Sequence, residues 1–244
     1  MTPRPFLLIS TRPEADAAAA ELASFSETMK VPIDAIEQRR VESAPLGEVE
    51  LANYSGVILG GSPFNNTDLA KSELQLRVER EIGTLVADII DRDFPLMGAC
   101  YGIGAVGTAI GARLGNEFAE DAGAVMLSVS DAGKHDPVLE GLPDRFESIV
   151  GHKENISTLP ESATVLVSGD ACPIQMFRVK ANVYATQFHP ELTAASLEFR
   201  LRVYAHLNYF DPQAFNTIVS AAQEADYTFS NRVMENFARC YRRF

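Results

Sequence analysis

Apolar residues in this chain fall into short blocks that alternate with stretches of helical spacing. Phe6–Ile9 reads as a buried strand. Thr11-Arg12-Pro13-Glu14 then combines a capping-box pattern with Pro in a first turn, which predicts a helix over the Ala-rich stretch from Ala15 to about Met29. Ile33–Ile36 is a candidate second strand, and Gly56-Val57-Ile58-Leu59 a third that runs into the sharp turn Gly60-Gly61-Ser62-Pro63. From about Ser72 to Asp91, Val78, Ile82, Leu85, Val86 and Ile89 recur at helical spacing. Phe94-Pro95-Leu96-Met97-Gly98-Ala99 is the next strand, and a small-residue helix follows Cys100 at once. Strands alternating with helices imply a parallel sheet covered on both faces.

The second half is richer in strands: Ala124–Val129, Phe146–Val150, Thr164–Ser168, Gln175–Val179 and Val183–Gln187. These read as antiparallel additions to the parallel core. Leu192–Leu207 is predicted as a helix with apolar residues on more than one face, hence largely buried. One domain is expected over residues 1–208, with 209–244 a helical extension containing Phe215–Ala225 and Arg232–Cys240. The Arg and aromatic residues near the end fit either a packed extension with a basic edge or a partner-docking tail.

Composition narrows the function classes. A formal net charge of −12 over 244 residues argues against nucleic acid, whose phosphates require a basic surface. No apolar run approaches the ~18 residues of a membrane span, and Phe6-Leu7-Leu8-Ile9 is too short for a signal sequence, so a cytoplasmic protein is expected. The three cysteines form no C-x-x-C pair, which fits a reducing compartment. The histidines and cysteines lack ligand-like spacing, so no metal is expected; no cofactor motif stands out, and the P-loop pattern is absent.

The chemistry centres on Gly98-Ala99-Cys100-Tyr101-Gly102, a G-x-C-x-G turn between strand and helix. A nucleophile elbow needs this context, and a helix amino terminus would favour the thiolate. Alone, the motif also fits a buried Cys between structural glycines. Of the four histidines, His135 lies in a surface-loop composition, His206 in the late helix, and His152 at a strand end where a place at a site rim is open. His189-Pro190-Glu191 follows the Val183–Gln187 strand directly. Carboxyl ends of parallel strands share one edge, so Cys100 and His189 meet there if their strands are neighbours. Glu191 would then orient the imidazole, although His-Pro-Glu also reads as a helix start. The amides of Tyr101 and Gly61 are the candidate donors for an oxyanion.

Gly98–Gly102, Gly60–Pro63 and Gln187–Glu191 together resemble the three signature blocks of class I (triad-type) glutamine amidotransferases, over roughly residues 6–208. Gly151–Asn155 and Cys172-Pro173-Ile174-Gln175 are similar to stretches of the glutaminase domain of GMP synthase and its free-standing relatives. The resemblance implies a flavodoxin-like, open, mostly parallel twisted sheet with helices on both faces. It also implies hydrolysis of the glutamine side-chain amide through a Cys100 thioester, with His189 moving protons and Glu191 orienting it, and ammonia passing to a synthase partner. Substrate contacts fall on Ser62, Gly104 and His152. Gly104 departs from the family, which usually carries Gln four residues after the nucleophile. A Gly there leaves space and points to a bulkier γ-glutamyl substrate, as in γ-glutamyl hydrolases and peptidases. A non-catalytic regulatory protein on the same scaffold is a third reading. An acidic surface with a long extension is compatible with a homodimer.

Overall fold

In the computed structural model, which describes residues 3–205 and 210–243, eleven strands and six helices follow one another along the chain. They are β1 (Phe6–Ser10), α1 (Ala15–Met29), β2 (Ile36–Arg40), β3 (Val57–Leu59), α2 (Glu73–Arg92), β4 (Leu96–Ala99) and α3 (Tyr101–Ala109). Next come β5 (Arg113–Gly115), β6 (Glu120–Val129), β7 (Arg145–His152), β8 (Asn155–Thr158), β9 (Ala163–Gly169), β10 (Met176–Val179) and β11 (Val183–Thr186). Three helices close the chain: α4 (Ala194–Tyr204), α5 (Phe215–Glu224) and α6 (Thr228–Tyr241).

Nine strands form one sheet in the order β2-β1-β3-β4-β11-β10-β9-β6-β7. The first five run parallel, and the other four join antiparallel, as the strand-rich second half implied. Side chains alternate across β1, so Leu7 and Ile9 enter one core layer while Phe6 and Leu8 enter the other. α2 and α3 cover the first face. α2 buries the stripe Val78, Ile82, Val86 and Ile89, and Ser72 caps it by accepting from the Gln75 amide. α1 and α6 cover the opposite face, where Phe237 is fully buried with ring centroids 6.1 Å from Phe6 and 6.5 Å from Tyr184. α6 is therefore packed against the sheet. No helix among the described residues is long and apolar enough to cross a membrane.

Several expectations need correction. Ile33–Ala35 is a short 3-10 turn, and the second strand starts only at Ile36. Thr11 does not cap α1: the helix begins after Glu14 without a side-chain cap, while the Thr11 hydroxyl donates to Gly61 O at 3.0 Å. α4 buries Leu197, Arg200, Leu201 and Tyr204 and leaves Phe199 exposed, so it is covered on one side rather than all round. The small β5–β8 sheet had no sequence signal. His206, Leu207 and the expected boundary at 208 lie outside the described residues.

Candidate active site

β3, β4 and β11 are adjacent and parallel, so the turns after Leu59, Ala99 and Thr186 open on one edge of the sheet. Thr186 pairs with Ala99, and the Cys100 amide donates to Thr186 O at 2.8 Å. Cys100 itself carries the backbone strain of the elbow, with φ 54° and ψ −94°, and caps the amino end of α3. The flanking glycines serve a different need from free rotation. A Cβ at Gly98 would lie 2.9 Å from the Gly102 carbonyl carbon, and one at Gly102 3.2 Å from Leu59 Cβ, so strand and helix meet only because both are bare.

Cys100, Tyr101, Ser62, His152, Glu154, Gln187, His189, Arg200 and Arg12 all border a single cavity of 110 Å³. His189 is fixed from two sides. Its amide donates to Ile149 O at 2.8 Å, and its Nδ1 lies 2.8 Å from Glu191 Oε1. Arg200, which no local motif marks, sends Nη2 to the same Glu191 oxygen at 3.2 Å. Its Nη1 is 3.1 Å from His189 Nδ1 and 3.5 Å from Nε2, so the guanidinium lies over the ring. Burial, first, and then the Arg200 charge hold His189 below its ordinary value of 6.5 against the pull of Glu191. The ring is therefore neutral at neutral pH and able to accept a proton. Burial opposes ionisation of Glu191, but His189 and Arg200 outweigh it and keep the carboxyl well below the usual range.

The expected resting thiolate is not what this site favours. Burial pushes the Cys100 thiol up, beyond what the charges of His152, Arg12 and Arg200 pull back, and Glu191 adds to the rise. A protonated thiol in a cavity that a neutral imidazole also lines needs that imidazole as a base when it reacts.

Gly104 also differs from expectation. It does not line the cavity, and it leaves no spare room. A Cβ there would collide with Glu154 Oε1 and Asn66 Nδ2. Asn66 Nδ2 donates to Glu154 Oε1 at 2.9 Å and the Thr67 amide to Oε2 at 2.6 Å, so the Glu154 carboxylate fills the space and ties the 62–71 loop across the site. The inference of a bulkier substrate from an empty position therefore loses its basis. Only spatial proximity reveals Glu154 and Arg12.

His152 reaches the cavity edge, yet both of its ring nitrogens are engaged. Nε2 is 2.9 Å from Glu120 Oε2, and Nδ1 is 2.9 Å from the Glu154 carbonyl. Cys172 brings its sulfur near this pair, so Glu120, His152 and Cys172 have donor atoms within 4.8 Å of one another. Sequence spacing concealed this group, which is the set among the described residues able to hold a metal ion. Hydrogen bonds already serve it: Glu120 Oε2 accepts from His152 and from Gln175 Nε2 at 2.5 Å, and burial pushes the Cys172 thiol up to about 12.

The family model for glutamine amidotransferase class-I matches residues 20–199. The chain belongs to that family. It is 29% identical over 146 residues to a glutamine-hydrolyzing GMP synthase subunit from Methanosphaera stadtmanae, a match covering 59% of this chain and 69% of that one. It is 30% identical over 149 residues to the glutamine-hydrolyzing GMP synthase of Streptomyces avermitilis, covering 61% of this chain but 26% of the longer relative. A crystal structure of a glutamine amidotransferase from Thermotoga maritima superposes with a TM-score of 0.78 at 18% identity, over 96% of both chains. One from Methylobacillus flagellatus gives 0.75 at 18%, over 100% of this chain and 97% of that one. These two structures share the fold of this chain.

Proposed function

We propose that this amidotransferase hydrolyses the side-chain amide of glutamine through a γ-glutamyl thioester on Cys100 and passes the ammonia to a synthase partner. The observation that carries the reading is that Cys100 and His189 line one cavity at the ends of β4 and β11, with Glu191 on His189 Nδ1 and Gly61, after β3, packed beside the imidazole. In the first half-reaction His189 Nε2 takes the Cys100 proton as Sγ attacks the amide carbon. The carbonyl oxygen becomes an oxyanion facing the Gly61 and Tyr101 amides. His189 then returns the proton to the leaving nitrogen, ammonia departs, and the thioester remains. Water, deprotonated by the same imidazole, attacks the thioester and releases glutamate. Glu191 keeps the proton on Nδ1, which leaves Nε2 as the accepting nitrogen.

Glu154 and Asn66 filling the space beside Gly104 favours a donor of glutamine size over the γ-glutamyl peptide reading. The Methanosphaera relative, named as one subunit of a GMP synthase, supports a separate synthase as the ammonia acceptor. Glutamate release from L-glutamine, measured alone and with candidate synthases, tests the reading. Release that disappears in Cys100→Ala supports it. Turnover of γ-glutamyl peptides but not of glutamine moves the substrate to the hydrolase class, and an unreactive Cys100 with stable complex formation points to a regulatory role.

A further inference from the structure

The proposed reaction leaves one buried cation at the cavity without a task. Arg12, in the loop after β1, is 5% exposed, and its Nε donates to Glu21 Oε1 at 3.1 Å. Glu21 is itself held by the Ser10 hydroxyl at 2.7 Å. The Tyr204 ring supports the guanidinium at 5.4 Å, with Nη1 3.5 Å from the Tyr204 hydroxyl. These partners take Nε and Nη1 and orient the third nitrogen toward the site.

The two glycines after β3 make room for this ion pair. A Cβ at Gly60 would lie 2.7 Å from Glu21 Oε1, and one at Gly61 would strike Arg12 Nη2. His189 Cε1 lies 3.4 Å from that same Gly61 position. Nη2 is therefore laid against the residue whose amide is the proposed oxyanion donor, beside the proposed base, and the Arg12 side chain borders the cavity that Cys100 lines. Thr11 holds the Gly61 carbonyl at 3.0 Å, so consecutive residues of one loop fix this peptide and place a charge next to it. A buried ion pair contributes little to stability compared with well-packed apolar residues. Its orientation toward the cavity calls for a functional account. The Arg12 charge also opposes the burial that raises the Cys100 thiol.

From this arrangement we infer that Arg12 is a catalytic residue: its Nη2 joins the Gly61 and Tyr101 amides and supplies full positive charge where the tetrahedral oxygen becomes anionic. The inference rests on the thioester reading. In a site shielded from water a fixed charge acts far more strongly on a developing anion than it would in solvent.

The test compares Arg12→Gln, Arg12→Gln/Glu21→Gln and Arg12→Lys with the wild type, using L-glutamine and γ-glutamyl-p-nitroanilide. The double variant removes the unpaired Glu21 carboxylate that could unfold the single one, and Arg12→Lys keeps a charge against Glu21 while losing Nη2. In whichever variants melt cooperatively, kcat is expected to fall about 10²-fold or more with KM within about threefold, as for loss of an oxyanion donor. Unchanged kcat overturns the inference. So does a raised KM at unchanged kcat, which would make Arg12 a substrate-carboxylate anchor instead. If the wild type turns over neither compound, the thioester reading fails. Arg12 is then judged by iodoacetamide alkylation of Cys100 across pH: a midpoint raised in the Gln variants supports its charge acting at the sulfur, and an unmoved midpoint overturns it.

Discussion

Two histidines that line the same cavity each meet a carboxylate at almost the same bond length, 2.8 Å for His189–Glu191 and 2.9 Å for His152–Glu120. They differ in what the second ring nitrogen meets. His152 Nδ1 faces the Glu154 carbonyl at 2.9 Å, so acceptors hold both nitrogens. His189 uses Nδ1 for Glu191, and its Nε2 meets Arg200 Nη1 at 3.5 Å, a donor that cannot take a proton from it. A histidine beside a carboxylate thus becomes a base only when its other nitrogen is left an open lone pair. Otherwise it is a tie between neighbouring strand ends.

Substitutions in the two pairs put this contrast at risk. His189→Ala is expected to lower kcat/KM by about 10³-fold, within the range for loss of a general base, whereas His152→Gln should cost less than about 10-fold. Equal losses in steady-state glutamate release would erase the distinction. Glu191→Gln should lower kcat by at least about 10²-fold by letting the ring choose the wrong tautomer. Glu120→Gln should leave kcat within a few-fold, since Glu120 only ties the ends of β6 and β7 together. Glu120→Ala should appear in stability instead. It strands the buried donors of His152 and Gln175, and denaturant unfolding is expected to show a loss of about 1–3 kcal/mol.

The parallel core and the three blocks of the site were legible in the sequence because each is written in contiguous residues: an apolar run, a glycine-flanked turn, then a helix or a Pro. Strand direction brings Cys100 and His189 to one edge only if their strands are neighbours, a condition that β4 and β11 meet in the fold. What was not legible depends on packing between distant segments. Arg12 meets Tyr204 and Gly61, and Glu154 meets Asn66 across 88 positions. Thr11-Arg12-Pro13-Glu14 carries a helix-start pattern, but the Thr hydroxyl and Arg guanidinium are both drawn to Gly61, so tertiary contact overrides the local motif. Gly104 misled for a related reason: a missing side chain looks like space until a neighbour is seen to occupy it.

The smallest expected effect is a shift in pH dependence. As the proposed base, His189 works when neutral, so the rate is expected to rise with pH as the ring loses its proton. Its value lies below 6.5, which places the acid limb of kcat/KM below pH 6.5. Arg200 lowers that value, and Arg200→Gln should therefore move the limb upward. A downward or absent shift in the pH–rate profile would show that Arg200 acts otherwise.

The proposed mechanism turns on covalent chemistry at one of three free cysteines, of which Cys172 is buried and Cys240 exposed. Intact-mass and peptide mass spectrometry after exposure to a γ-glutamyl diazoketone tests this most directly. The mechanism predicts one adduct per chain, on Cys100, absent in His189→Ala at matched exposure and retained in His152→Gln. An adduct on Cys172 or Cys240, or labelling of Cys100 that ignores His189, would contradict it.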